Sequence, residues 1–142
     1  MRHQHPRTRL LGALALAVAI LAAPAWGSAR HTSVAVHRLQ LGVTEWAVIP
    51  SDGIVSAGPL QLTVENFGRI RHEIAIVPTE RWGQKLPIRN GRAVGEVAAP
   101  PIVVPPGERR SARVRLARGF YVLLDNLPGH YGAGAAVSIV VA

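Results

Sequence analysis

Six histidines and no cysteine among 142 residues set the chemistry open to this chain. Without a thiol there is no thiolate nucleophile, no iron–sulfur cluster and no copper–thiolate bond. Imidazole remains, as a general base, a proton carrier and the commonest metal ligand. A catalytic serine would need a strained nucleophile turn with a histidine and an acid in reach. Ser138 lies instead inside AVSIVVA at 136–142, an apolar run. Gly129, Gly132 and Gly134 do not introduce a helix, so they form no phosphate-cradling loop. Multicopper oxidation would need several more histidines. These residues point to binding rather than catalysis, and no enzyme is expected.

The histidines sort themselves by position. His3 and His5 belong to RHQHPRTR at 2–9, a basic head followed by the apolar LLGALALAVAILAA at 10–23 and by the small residues Ala25, Gly27 and Ala29. This is the layout of a secretory signal peptide. The apolar run is about 14 residues, short of the roughly 20 that a spanning helix needs. Residues 1–29 are therefore expected to be a signal peptide helix, and 30–142 one exported domain, periplasmic or extracellular, with no permanent membrane span after cleavage. His31 falls at the polar start of that domain. His37 shares a strand face with Ala35 and Leu39 and reads as a partly buried, hydrogen-bonded residue. His72 and His130 remain.

A mature domain of about 110 residues can bury a sufficient core without disulfides. Of the formal charge of +8, three positive charges (Arg2, Arg7 and Arg9) belong to the leader, and Lys85 is the only lysine. Export makes a nucleic-acid partner unexpected, and an aromatic content of 5% offers no set of rings for stacking on bases. Arg109, Arg110, Arg113, Arg115 and Arg118 concentrate on one strand and its flanks. Such a run reads first as a solvated face that discourages edge pairing; it would also steer an acidic envelope or redox protein partner.

From about residue 33 onward, apolar and polar residues alternate in short bursts broken by Gly and Pro, the pattern of an antiparallel sandwich. Strands are expected over 33–41, 43–49, 59–66, 72–78, 109–116, 119–125 and 136–142. Turns fall at 50–53, at Phe67 and Gly68, and at 105–107. In RRSARVRL at 109–116, Ala112, Val114 and Leu116 should face inward. Residues 79–101 read as a long surface connection holding at most a short strand or helical turn. Trp46 reads as a core or strand-surface residue, and Trp82 as a cover over the sandwich. About seven strands make this an all-β, two-sheet fold.

The tail is more specific. GFYVLLDNLPGHYGAGAAVSIVVA at 119–142 resembles the last third of the cupredoxins, the blue copper proteins of the plastocyanin and azurin kind. There a strand ends in a cysteine, a tight loop presents a histidine five residues on, a methionine follows five later, and a last strand closes the sheet. Asp125, His130 and Ala135 stand at those three places. NFGRIRHEIAIV at 66–77 is similar to the family's Asn-x-Gly turn and the strand opened by its first histidine ligand, which is His72 here. The turn PPGE at 105–108 and Gly119, Phe120 and Tyr121 fit as well, so the resemblance spans roughly 33–142.

The resemblance implies a cupredoxin-like Greek-key β-sandwich and a metal-ligand set of His72, Asp125 and His130. Two family ligands are replaced: Asp125 offers a hard oxygen, and Ala135 offers nothing. A blue centre depends on the thiolate and the weak axial thioether, so blue-copper electron transfer is not expected. Two imidazoles and a carboxylate suit Cu(II), and Zn(II) less selectively, which points to copper storage, sequestration or delivery, with a redox role of another kind as the remaining copper function. The same three residues also fit a metal-free binding or structural module of the cell envelope, in which the acid is satisfied by hydrogen bonds from both imidazoles.

Overall fold

The computed structural model describes residues 35–142. The expected signal peptide at 1–29, its helix and His31 lie outside the described residues.

Alternation builds the first sheet. In β1 (His37–Thr44), Leu39, Leu41 and Val43 are buried; in β4 (Gly58–Asn66), Leu60, Leu62 and Val64; in β9 (Arg109–Leu116), Val114 and Leu116, with Ala112 half-buried on the same face. Residues two apart share a face, so each strand delivers one apolar row to the interior and one polar row to water. With β2 (Ala47–Pro50) these strands are ordered β2-β1-β4-β9. β9 is an edge, and its outward Arg113 and Arg115 are exposed there.

The second sheet takes the order β3-β11-β10-β5-β8, from β3 (Ile54–Val55), β11 (Ala136–Val141), β10 (Gly119–Asp125), β5 (His72–Thr79) and β8 (Ile102–Val104). Its inner face contributes Ile74, Ile76, Tyr121, Leu123, Ile139 and Val141 to the core between the sheets. Its outer face is also covered. Ala75, Val77, Val122 and Leu124 form a second cluster with Leu86 and Ala93 from the long connection. Burial on both faces explains why GFYVLLD reads as a nearly continuous apolar run rather than an alternating one.

Several expectations change in detail. Among the described residues eleven strands form instead of about seven, the surplus being pieces of two or three residues: β3, β8, β6 (Ile88–Arg89) and β7 (Arg92–Ala93). The strands expected at 33–41 and 43–49 divide elsewhere. β1 runs on through Gly42 to Thr44, and the turn is Glu45 and Trp46. Gly42 is no break; it makes room for the Phe67 ring, which a Cβ there would meet at 3.2 Å. The sheets are mixed rather than purely antiparallel, since β1 pairs parallel with β4 and β3 parallel with β11. The chain passes through β2 and crosses to the other sheet at β3 before β4 returns beside β1, so that return runs in the same direction. The 79–101 connection is a cover rather than a plain surface loop, and Leu86 and Ala93 do the covering. Trp82, expected in that role, is 55% exposed.

Candidate metal centre

β5 begins at His72 and β10 ends at Asp125, and the two strands are antiparallel neighbours with Asp125 opposite Ile74. Both residues therefore sit at the same end of the sandwich. Parity turns them inward as well. His72 shares its face with Ile74 and Ile76, and Asp125 with Tyr121 and Leu123, so each polar residue ends an apolar row. Both are 0% exposed.

The loop after β10 brings the third residue. Asp125 N–H donates to the Ala135 carbonyl (2.9 Å) and Ala135 N–H to the His130 carbonyl (3.0 Å), which ties the two ends of the loop together. Gly129 and Gly134 take φ of 89° and 106°, a conformation that favours glycine. His130 is folded back under this loop and is 8% exposed.

The three side chains meet at one atom. His72 Nδ1 lies 2.7 Å and His130 Nδ1 2.5 Å from Asp125 Oδ2. All three potential ligand atoms fall within 4.8 Å of one another. Asp125 Oδ1 accepts the backbone N–H groups of Glu73 (3.0 Å) and Leu127 (3.2 Å). An ionised carboxylate only accepts, so without a metal both Nδ1 atoms carry the proton and donate. Four accepted hydrogen bonds satisfy a charge whose burial would otherwise be costly. The arrangement brings together all three residues expected at the site.

Around them the fold is closely tied. Asn66 is buried; its Nδ2 donates to the carbonyls of Ile70 (2.7 Å) and Val104 (2.9 Å), and its Oδ1 accepts Gly68 N–H (2.8 Å). That is the Asn-x-Gly turn expected before His72. On the far side of the His72 ring, Nε2 is buried with no hydrogen-bond partner. Glu45, in the β1–β2 turn, accepts Arg69 N–H at 2.5 Å. That bond first, then Glu45's own backbone N–H, outweigh the opposing effect of desolvation and hold its carboxyl below the ordinary range, and the nearby His72 acts in the same direction. Trp46 is neither core nor strand packing. It is 62% exposed, in the turn, with its ring centroid 5.2 Å from that of His130.

The histidine loop is also held from outside. Asn90 (φ 50°) and Gly91 (φ 79°) turn the β6–β7 hairpin, as Asn-Gly pairs do in tight hairpins. The Gly91 carbonyl accepts Gly129 N–H (2.9 Å), Arg92 donates to Glu73 (2.9 Å) and to the Asn126 carbonyl (2.7 Å), and Asn126 Oδ1 accepts Ala93 N–H (2.7 Å). Glu45, Trp46, Arg92 and Asn126 are thus part of the site's surroundings without having been expected there. The Asn90-Gly91 pair, not singled out in the sequence, is a signal by which this hairpin could have been found.

The donor set decides which metal chemistry fits. A thiolate-based blue centre does not, because an aspartate stands at the thiolate position and the buried Ala135 at the thioether position. Two imidazole nitrogens and one carboxylate oxygen, converging in a buried site, fit a divalent ion of intermediate softness.

No protein-family model matches the chain, and no curated protein matches it. Solved structures do. Reduced auracyanin from the photosynthetic bacterium Roseiflexus castenholzii aligns at 20% identity and TM-score 0.51 over 75% of this chain and 96% of its own. Reduced rusticyanin aligns at 18% identity and TM-score 0.56 over 75% and 79%. Rusticyanin from Thiobacillus ferrooxidans gives 16% identity and TM-score 0.55 over 75% and 77%. At such identities the likeness is one of fold, and the fold is that of the cupredoxins.

Proposed function

We propose that this cupredoxin-fold protein is exported and binds a divalent metal, Cu(II) before Zn(II), through His72, His130 and Asp125. The observation that carries the reading is the convergence of two buried imidazole Nδ1 atoms on one carboxylate oxygen. A cation at this point would take the Nδ1 lone pair of each imidazole, the ring proton moving to Nε2, with a small spreading of the three side chains. The general affinity order of divalent ions favours copper. With no sulfur donor to stabilise Cu(I), holding or delivering Cu(II) suits this donor set better than electron transfer. The leader-like residues 1–29 support export, and the outward arginines of β9 would suit an acidic protein partner. Binding, not catalysis, is the proposed activity, and nucleic acid is not a proposed partner.

Titration of the purified protein with Cu(II) near neutral pH tests this. One equivalent should bind tightly, without the intense colour of a thiolate centre. Affinity should fall towards about pH 5, because a proton and the metal compete for the same imidazole lone pair. The His72→Ala, His130→Ala double variant should bind none at this site; full affinity in that variant would overturn the assignment.

A second reading has its own support in the four hydrogen bonds that Asp125 already accepts. In a metal-free module of the cell envelope the same network would serve only to lock the pole. The titration separates the two, since that module would take up no stoichiometric copper.

A further inference from the structure

A metal bound at Nδ1 of a neutral imidazole leaves the ring's proton on Nε2, and the partner of that N–H fixes the tautomer and the ring's orientation. In the metal-free pole, His72 donates from Nδ1 and its Nε2 is a bare acceptor. Loading a metal reverses these roles and turns Nε2 into a donor. That nitrogen is buried and partnerless, so the metal-bound state requires an acceptor that the metal-free state does not.

One carboxylate stands opposite. An ideal Cβ at Gly68 would lie 2.8 Å from His72 Nε2 and 2.8 Å from Glu45 Oε1. The missing side chain of Gly68 is thus what separates carboxylate and imidazole. Gly68 is held there by the hydrogen bond from its N–H to Asn66 Oδ1, and it has no left-handed φ to explain the residue type. Close approach on both sides is the remaining physical reason for a glycine. Glu45 is only half-buried and belongs to a two-residue turn, where its Oε1 accepts Arg69 N–H.

We propose that Glu45 is the positioning residue of the metal centre: when a divalent ion occupies His72 Nδ1, the Glu45 carboxylate accepts the Nε2–H across Gly68. The inference rests on the metal reading above. It completes a carboxylate–imidazole–metal relay built from the β1–β2 turn, the first residue of β5 and the end of β10. The charges also close, since Asp125 and Glu45 together balance a divalent ion.

Zn(II)-loaded, ¹⁵N-labelled protein provides the test, with Cu(II) affinity measured alongside. In the wild type, the His72 ring should carry its proton on Nε2, with slow exchange against water. Glu45→Ala should speed that exchange and lower Cu(II) and Zn(II) affinity by about 10–100-fold. Glu45→Gln keeps an acceptor oxygen and should retain most of the affinity. Gly68→Ala should reproduce the Glu45→Ala loss by wedging the pair apart. If the wild type binds metal and Glu45→Ala binds it equally, with an unchanged Nε2 proton, the role of Glu45 is refuted while the site stands. Failure of the wild type to take up either metal would refute both.

Discussion

His72 and His130 meet at the same carboxylate oxygen, yet they are held by different kinds of structure. His72 opens a strand inside a five-stranded sheet, ends an inward apolar row, and sits behind the turn that Asn66 pins. His130 hangs in a glycine-rich loop at the rim, with an exposed tryptophan beside it. The first imidazole is part of the core; the second closes over it. A site built this way keeps one imidazole fixed by folding and places the other at the less buried side, where His130 is the one residue of the three that is not fully covered.

Asp125→Ala should have the largest effect, because it removes the acceptor common to both arms and leaves four N–H groups without their partner. About 4 kcal/mol of stability should be lost, read as a lower urea midpoint of the metal-free protein. A loss under about 1 kcal/mol would mean that neither arm depends on the shared oxygen.

The single histidine variants sharpen the contrast. His72→Ala should cost about 3 kcal/mol, from a cavity and a lost buried hydrogen bond. His130→Ala, at the rim, should cost about 1 kcal/mol. Both should lose tight Cu(II) binding, but added free imidazole should restore it only to His130→Ala, where a small ligand can reach the gap. Equal costs and equal rescue would break the distinction drawn between the two arms.

The smallest change in stability is expected at Trp46, whose replacement by Phe should stay within about 0.5 kcal/mol. Its optical effect should be plain. Cu(II) beside His130 should quench Trp46 fluorescence, and Trp46→Phe should remove most of that quenching. Undiminished quenching in the variant would place the metal away from the rim.

Strands with one wet face were the most legible in the sequence. LQLTV in β4 and ARVRL in β9 each declare their inward residues, and the structure turns those residues inward, burying all but the half-buried Ala112. The spacing of Asp125, His130 and Ala135, together with the Asn66 turn before His72, located three side chains that do come together. Less could be read where a segment's role depends on distant neighbours. Alternation fixes a strand's faces but not its partner, so the parallel pairings of β1 and β3 were hidden. It also continues into a turn unmarked, so Trp46 looked like the next residue of a strand. Glu45 and His72 flank Gly68 only because two separate turns fold against each other, and three residues of β8 between prolines are too few to show a period.

The bond from Gly129 N–H to the Gly91 carbonyl makes the shape of the histidine loop depend on a remote hairpin. A protease cut or an insertion within 79–101 would slacken that tether without touching any ligand. Of the two imidazoles, only the one at the rim would then drift, and the protein would keep its architecture while losing the convergence on which the proposed metal binding depends.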